Sequence, residues 1–459
     1  MPDVDLLVAG AGGGLAGALR AAQAGLDVVV AEADPHHRRG SNTAMSTAMV
    51  PGPGSRFQRA AGIEDSPERF LADVAAKTRG QADPAVAGTL ARVGAPLVEW
   101  LADHVGLPIE LADVDYPGHA VRRVHTVPGR HGSALLRGLV EAAEASERID
   151  LLVPARLVAL APAGAGAWRV RLRRPDGAEE ELTARSVLLA TGGYGADPTL
   201  VARHLPEIAG AAYHGSEYAT GDALRLGSAH GAAVSALDAY QGHAGLSAAA
   251  RTLVTWTTVM AGAVVVDADG HRFGDETVGY SEYAAMLAGR PGARGWVVLD
   301  GRIDAATQGF LDYRHVVEAG ALRWAGTVPE LAARIGVDAE VLQGELDDAA
   351  AVARGEAVVD RVGRRHVAAA LEPPFAAVEI VPALFHTQGG LAVDEHARAL
   401  DPAGRPLGGL YASGGAAVGM SGHGAAGYLA GNGLLPALGL AYRAADHLAS
   451  AHAEKEIPA

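Results

Sequence analysis

The stretch DLLVAGAGGGLAGALRAAQAGLDVVVAEAD, Asp5–Asp34, decides the fold. Its opening DLLVAG is a short buried strand. GGGLAGALRAAQAG reads as a helix opened by glycines and closed by Gly25, and LDVVVAEAD as a second strand ending in acid. Together they make a βαβ unit of about 30 residues. Gly10, Gly12 and Gly14 let the backbone approach a pyrophosphate, whose charge the helix N-terminus favours. Glu32 stands 20 residues after Gly12, where an acid accepts hydrogen bonds from an adenosine ribose. The spacing departs from G-x-G-x-x-G at one place: Leu15 holds the last position and Gly14 comes one residue early.

Composition narrows what such a unit can serve. A chain of 459 residues points to roughly two domains, or one large domain with an insertion. Hydrophobic residues make up 49% and charged residues 20%, the balance of a globular protein. The 60 glycines gather towards the two ends, which suggests backbone-lined ligand sites. There is no cysteine, so disulfides, thiolate zinc, iron–sulfur clusters and c-type haem attachment are excluded within this chain. Redox work would need an organic cofactor, and no metal site is expected. A net charge of −15 argues against nucleic acid as a partner. MPDVDLLVAG enters a strand at once with no basic or apolar export region, so a cytoplasmic location is expected. Pro406–Tyr442 carries no Asp, Glu, Lys or Arg, but its glycines recur about every third residue. It reads as buried loop and helix and not as a membrane span.

Further along, Asp65–Lys77, Pro84–Val105 and SALLRGLVEAAEAS have helical spacing. LLVPARLVALA, WRVRLRR and EELTARSVLLATGG read as strands, with a turn at Pro175-Asp176-Gly177. Between residues 239 and 374 the pattern changes. Helices such as VPELAARIG and AEVLQGELDDAAAVARG mix with strands such as GAVVVDADGHRF and GWVVLDG. This segment is expected to be an inserted domain, and residues 1–238 and 375–459 to form one discontinuous domain closed by a helix over about 433–449.

Four motifs in order, the opening βαβ unit, SVLLATGGYGAD, TGDALRLGSAHGA and GLYASGG, resemble the fumarate reductase/succinate dehydrogenase flavoprotein superfamily. That superfamily also includes 3-ketosteroid dehydrogenases and tricarballylate dehydrogenase-like enzymes. The resemblance spans nearly the whole chain. It implies an α/β fold: a Rossmann-like two-dinucleotide-binding FAD domain with an inserted α+β capping domain. It also implies hydride transfer between the flavin and a substrate carbon. By this likeness Gly10, Gly12 and Gly14 line the pyrophosphate and Glu32 the ribose. Ser41, Asn42 and Thr43 lie along the flavin. Thr191, Gly192 and Asp222 belong to the cofactor site, and Gly414, Gly431, Asn432, Gly433 and Leu434 approach the isoalloxazine. Members with covalent FAD carry a histidine where Asn42 stands, so FAD is expected to be non-covalent. Relatives often carry Glu where Gly415 stands.

The same likeness marks catalytic groups. FHTQGG resembles HTxGG, which places His386 and Thr387 against substrate. YQGHAG resembles QxHPT, which does the same for Gln241 and His243. For either histidine the plain alternative is a core residue bonding a backbone carbonyl. The family's dicarboxylate-binding arginines are replaced by Val259 and Tyr428. Neither offers a bidentate fork, so fumarate and succinate are not expected as substrates. YLAGNGL matches the spacing of YPGGSGL in the tricarballylate dehydrogenase-like enzymes. A phenol at Tyr428 can hydrogen-bond a ketone and acidify the neighbouring carbon. Tyr116, Tyr240, His243 and His386 are candidates for the base. A phenol base needs its pKa lowered from about 10. Ser421 and His423 share the Tyr428 loop and are expected to reach the site, His423 as a substrate contact. Aromatic residues are only 5%, so no ring-stacking pocket is evident.

The expected function is an FAD-dependent dehydrogenase acting on a C–C bond beside a carbonyl or carboxyl group of a small or cyclic substrate, with a separate electron acceptor. The alternatives are a reductase of an activated C=C bond fed by an electron donor, and a redox-neutral flavoprotein isomerase or hydratase.

Overall fold

The computed structural model describes residues 2–116, 118–164 and 166–456. The chain divides into two compact units: Met1–Leu205 with Gly215–Tyr240 and His386–Ala459, and Pro206–His214 with Gln241–Phe385.

The first unit is built on a sheet in the order Arg398–Leu400, Pro406–Ala412, Glu179–Leu189, Val4–Ala9, Val28–Ala31, Ile149–Leu152. The last five are parallel to one another. Their near-continuous apolar runs suit strands covered on both faces. The helix Gly14–Gln23 crosses from Val4–Ala9 to Val28–Ala31 and packs on the final helix, Leu434–Glu456. Glycine makes that crossing close: a Cβ on Gly13 would lie 2.6 Å from Ala437 Cβ, and one on Gly17 2.8 Å from the Ala441 carbonyl. Glu179–Leu189 has two roles. Its first half pairs antiparallel with Ala167–Arg173, and its second half joins the parallel sheet.

Two expectations need correction here. The charge-free segment was read as loop and helix, but it opens with the strand Pro406–Ala412, which pairs Leu410 with Val187. Glycines at 408 and 409 hide the strand pattern. The final helix runs on to Glu456 instead of stopping near Ala449.

The second unit holds a six-stranded sheet around Phe375–Thr387, which pairs with Ala212–Tyr213 on one side and Gly295–Asp300 on the other. The helices Val328–Ile335 and Ala339–Ala353 cover it through Leu331, Ala332, Leu342 and Leu346. The sequence boundary of 239–374 falls just before this long strand. The compact unit carries the strand as far as Phe385 and gains residues 206–214 by the same pairing.

Candidate cofactor and active site

The expected cofactor residues gather at the C-terminal edge of the parallel sheet, where open α/β sheets bind ligands. Gly10 follows Val4–Ala9, Glu32 follows Val28–Ala31, Thr191 follows Glu179–Leu189, and Gly414 follows Pro406–Ala412 with Ser413, not singled out in the sequence, between them. Gly10 has φ +116°, and a Cβ there would lie 2.2 Å from the Ala190 carbonyl oxygen, so only glycine fits this turn. A Cβ on Gly12 would meet Thr43 Oγ1 at 2.8 Å, which places Thr43 against the loop. Gly14 departs from its expected role. It faces inward, and a Cβ would meet Val8 and Ala190 at 2.7 and 2.9 Å. That is the place of a helix–strand packing glycine.

Glu32 is buried. One carboxylate oxygen accepts from the Ala11 N–H at 2.6 Å and the other from the Asp34 N–H at 2.7 Å. Each oxygen keeps a further lone pair for a ribose hydroxyl. Loss of hydration pushes its pKa up, against those two donors. Asn42 Oδ1 accepts from the Ser216 N–H at 2.6 Å, and Ser41 caps the short helix Asn42–Met45. Asp222 is already engaged: Arg156 grips both its oxygens, at 2.8 and 3.0 Å. This ion pair holds the Asp222 carboxylate in place. Gly415 lies 2.6 Å, at Cβ distance, from the Gly193 amide, so a glutamate could not stand there without moving the loop.

Three buried polar atoms along this edge and its C-terminal loop have no partner among the described residues: Thr191 Oγ1, Ser413 Oγ and Asn432 Oδ1. Buried polar atoms are rarely left so. Together with the glycine turn and the open lone pairs of Glu32 they fit a large, polar, hydroxylated cofactor such as FAD. Among the described residues no group of three or more His, Asp or Glu could hold a metal ion.

The C-terminal loop brings two of the expected catalytic groups together. The His386 and Tyr428 rings meet edge to face, 6.0 Å between centroids. A Cβ on Gly433 would lie 3.1 Å from His386 Nε2, so glycine allows the imidazole to sit at the start of the final helix. Burial pushes the His386 pKa down to about 4, which makes it neutral at physiological pH. Gln388 Nε2 lies 3.2 Å from His386 Nδ1 and Gln388 Oε1 3.2 Å from Ser421 Oγ, which in turn lies 3.0 Å from Asn432 Nδ2. Sequence reasoning did not single out Gln388, because its role depends on partners far along the chain.

Tyr116 sits in a segment packed against the same loop. The described residues omit its neighbour Pro117. A Cβ on Gly118 would lie 2.5 Å from Leu429 Cδ1, and His119 Nε2 lies 2.9 Å from the Ala430 carbonyl oxygen. Burial raises the Tyr116 pKa. A phenol base needs the opposite shift, so the base role does not suit it. Thr387 is 1% exposed, and its hydroxyl accepts from the Tyr194 N–H at 3.3 Å and presses on Gly193. His423 is not buried with His386. Its side chain is 57% exposed and Nδ1 lies 2.7 Å from Asp238.

Gln241 and His243 belong to the second unit, on the strand Tyr240–Ser247. His243 stacks between Tyr280, at 4.8 Å, and Phe385, at 5.5 Å, with Trp256 edge-on at 5.9 Å. Burial pushes its pKa down to about 3. Its Nδ1 accepts from the Gly245 N–H at 2.9 Å, which leaves the proton on Nε2. Three rings thus pack around this one histidine. Val259 is fully buried, and its carbonyl accepts from Arg364 Nη2 at 2.9 Å.

Comparison with known proteins gives the family. A probable fumarate reductase, Ifc3, of Shewanella frigidimarina is 29% identical over 428 residues, covering 91% of this chain and 70% of that protein. The 4-oxocyclohexanecarboxylate 2-dehydrogenase of Sinomonas cyclohexanicum is 27% identical, with 93% and 92% covered. The open conformation of a flavocytochrome c3 fumarate reductase superposes with a TM-score of 0.81 at 27% identity, over 98% of this chain and 79% of that one. The FAD binding domain family matches residues 5–434, and the chain belongs to that family.

Proposed function

We propose that this protein is an FAD-dependent dehydrogenase acting at a C–C bond beside the carbonyl group of a small or cyclic ketone. At the level of class it is an FAD-dependent oxidoreductase of CH–CH bonds. The observation that carries the ketone reading is the pairing of neutral His386 with Tyr428 at the Gly431–Gly433 loop, with no arginine at either dicarboxylate position. A relative matched over 93% of this chain and 92% of its own length acts, by its name, on a cyclic keto acid.

Gly10, Gly12, Glu32, Thr191 and Ser413 would hold the cofactor, and Asn42 leaves it non-covalent. FAD, when bound, supplies the hydride acceptor. Tyr428 donates a hydrogen bond to the substrate carbonyl and so acidifies the adjacent C–H. His386, neutral and buried, sits beside the same oxygen and adds no net charge. Burial of both rings keeps water from that oxygen and strengthens each bond. The names of the fumarate reductase relatives favour a second reading, reduction of an activated C=C bond by the same residues in reverse.

Anaerobic addition of cyclic ketones and keto acids to the yellow enzyme should bleach the flavin. Bleaching by none of them, with rapid reoxidation of dithionite-reduced enzyme by an unsaturated acid, would replace the dehydrogenase with the reductase. Acid precipitation should leave the flavin in the supernatant. Flavin that stays with the pellet would show a covalent bond.

A further inference from the structure

We propose that Gln388 fixes the tautomer of His386, holding its proton on Nε2 so that the imidazole meets the substrate as a hydrogen-bond donor and not as a base. What that donor serves rests on the ketone reading above, but the tautomer itself is a property of this chain alone.

The argument starts from the buried row Asn432, Ser421, Gln388 and His386. Asn432, Ser421 and Gln388 are 1%, 4% and 4% exposed. Asn432 Nδ2 donates to Ser421 Oγ at 3.0 Å. Ser421 Oγ donates to Gln388 Oε1 at 3.2 Å. Gln388 Nε2 then donates to His386 Nδ1 at 3.2 Å. A neutral imidazole that accepts at Nδ1 carries its proton on Nε2.

Both amides can be turned over, which reverses every bond in the row and moves the imidazole proton to Nδ1. The two directions are not equal. In the direction given, the atom left without a partner is an acceptor, Asn432 Oδ1. In the reverse, the Asn432 NH2 group would occupy that buried position and would need acceptors for both hydrogens. Buried donors without acceptors are rarer than carbonyls with a vacant lone pair. The other acceptor open to an Nδ1 proton is the Thr387 carbonyl, 3.5 Å away and at the limit of a hydrogen bond. Nε2 lies against Gly433, at 3.1 Å from the position of a Cβ there.

Gln388 is thus a positioning residue. It acts through His386 and carries no proton itself. With Nε2 protonated, the group His386 faces must be an acceptor, such as a carbonyl or carboxylate oxygen, and the proton lost from carbon goes to another residue.

The test is a long-range 1H–15N correlation spectrum of the full-length, FAD-loaded protein labelled at its histidine nitrogens, near pH 7.5. His386 is assigned by the signal missing from His386→Gln. The expected pattern is pyridine-like Nδ1 and pyrrole-like Nε2. Gln388→Glu replaces the donor by acceptors only, and should turn Nδ1 pyrrole-like. A wild-type His386 already protonated on Nδ1, or one whose signals ignore Gln388→Glu, overturns the proposal. If Gln388→Glu does not retain FAD, Ser421→Ala is read instead. It removes the donor that orients the Gln388 amide and should give a mixture of both tautomers, whereas a single unchanged tautomer overturns the proposal. No substrate is present in these spectra, so their outcome is separate from that of flavin bleaching.

Discussion

Tyr428 is held to His386 by ring packing and to its task by one hydroxyl, and substitution can separate the two. Tyr428→Phe keeps the edge-to-face contact at 6.0 Å and removes the donor. Flavin absorbance should be unchanged, and the rate of flavin reduction by substrate, followed by stopped flow, should fall by about 10²–10⁴. A fall of less than tenfold would make Tyr428 part of the wall. Some of this was legible in sequence. FHTQGG pointed to His386, and Val259 and Tyr428 in place of arginines pointed away from a dicarboxylate substrate. What no local pattern carries is the state of a side chain. That Asp222 is occupied by Arg156, that Thr387 is turned to Tyr194, and that Gln388 orients His386 all depend on partners distant in sequence.

Among the elements, the loop Tyr428–Gly433 depends on support from its neighbours. Gly431 has φ +89°, and its Cβ would lie 2.4 Å from Pro51 Cδ. His119 anchors the Ala430 carbonyl through Nε2, while Arg123 Nη1 lies 3.3 Å from Nδ1. Arginine only donates and a carbonyl only accepts, so the His119 proton is fixed on Nε2. Arg123 is itself fully buried between Asp65 and Asp73. His119→Leu removes the donor to Ala430 and should destabilise the protein by about 1–3 kcal/mol, read as a lower denaturant midpoint. Because the same loop carries Asn432 and Gly433, FAD affinity by fluorescence titration should weaken too. Unchanged affinity would show that the loop holds its course without His119. The opening βαβ unit could be read from sequence because its periodicity, glycines and closing acid agree with one another. The strand Pro406–Ala412 could not, since its glycines erase the alternation and pairing with Glu179–Leu189 decides it.

Across the whole molecule, burial has a cost that pH exposes. Burial lowers His119, His125 and His386 to about 4 and His243 to about 3. An unfolded histidine titrates near 6.5. Between these values the unfolded chain binds protons that the folded chain refuses, so stability falls as pH drops below about 6.5, down to each folded value. Above about 6.5 these groups add no pH dependence. Each shift corresponds to something on the order of 3 kcal/mol by the end of its window. Glu32, with its pKa raised by burial, works in the opposite sense. The carboxylates lowered by arginine, Asp103 and Glu180 among them, are exposed and lose their pairing only below the ordinary carboxylate range. The melting temperature of the FAD-loaded protein should therefore be flat from pH 8 to 6.5 and fall steadily from 6.5 to 5. His125→Gln should make that fall shallower, because it removes a titrating ring whose Nε2 is bonded to Ser55 Oγ at 2.7 Å and whose Nδ1 has no partner among the described residues. A melting temperature that holds level to pH 5 would mean that the buried histidines accept protons in place, and His386 could then no longer be taken as neutral at its work.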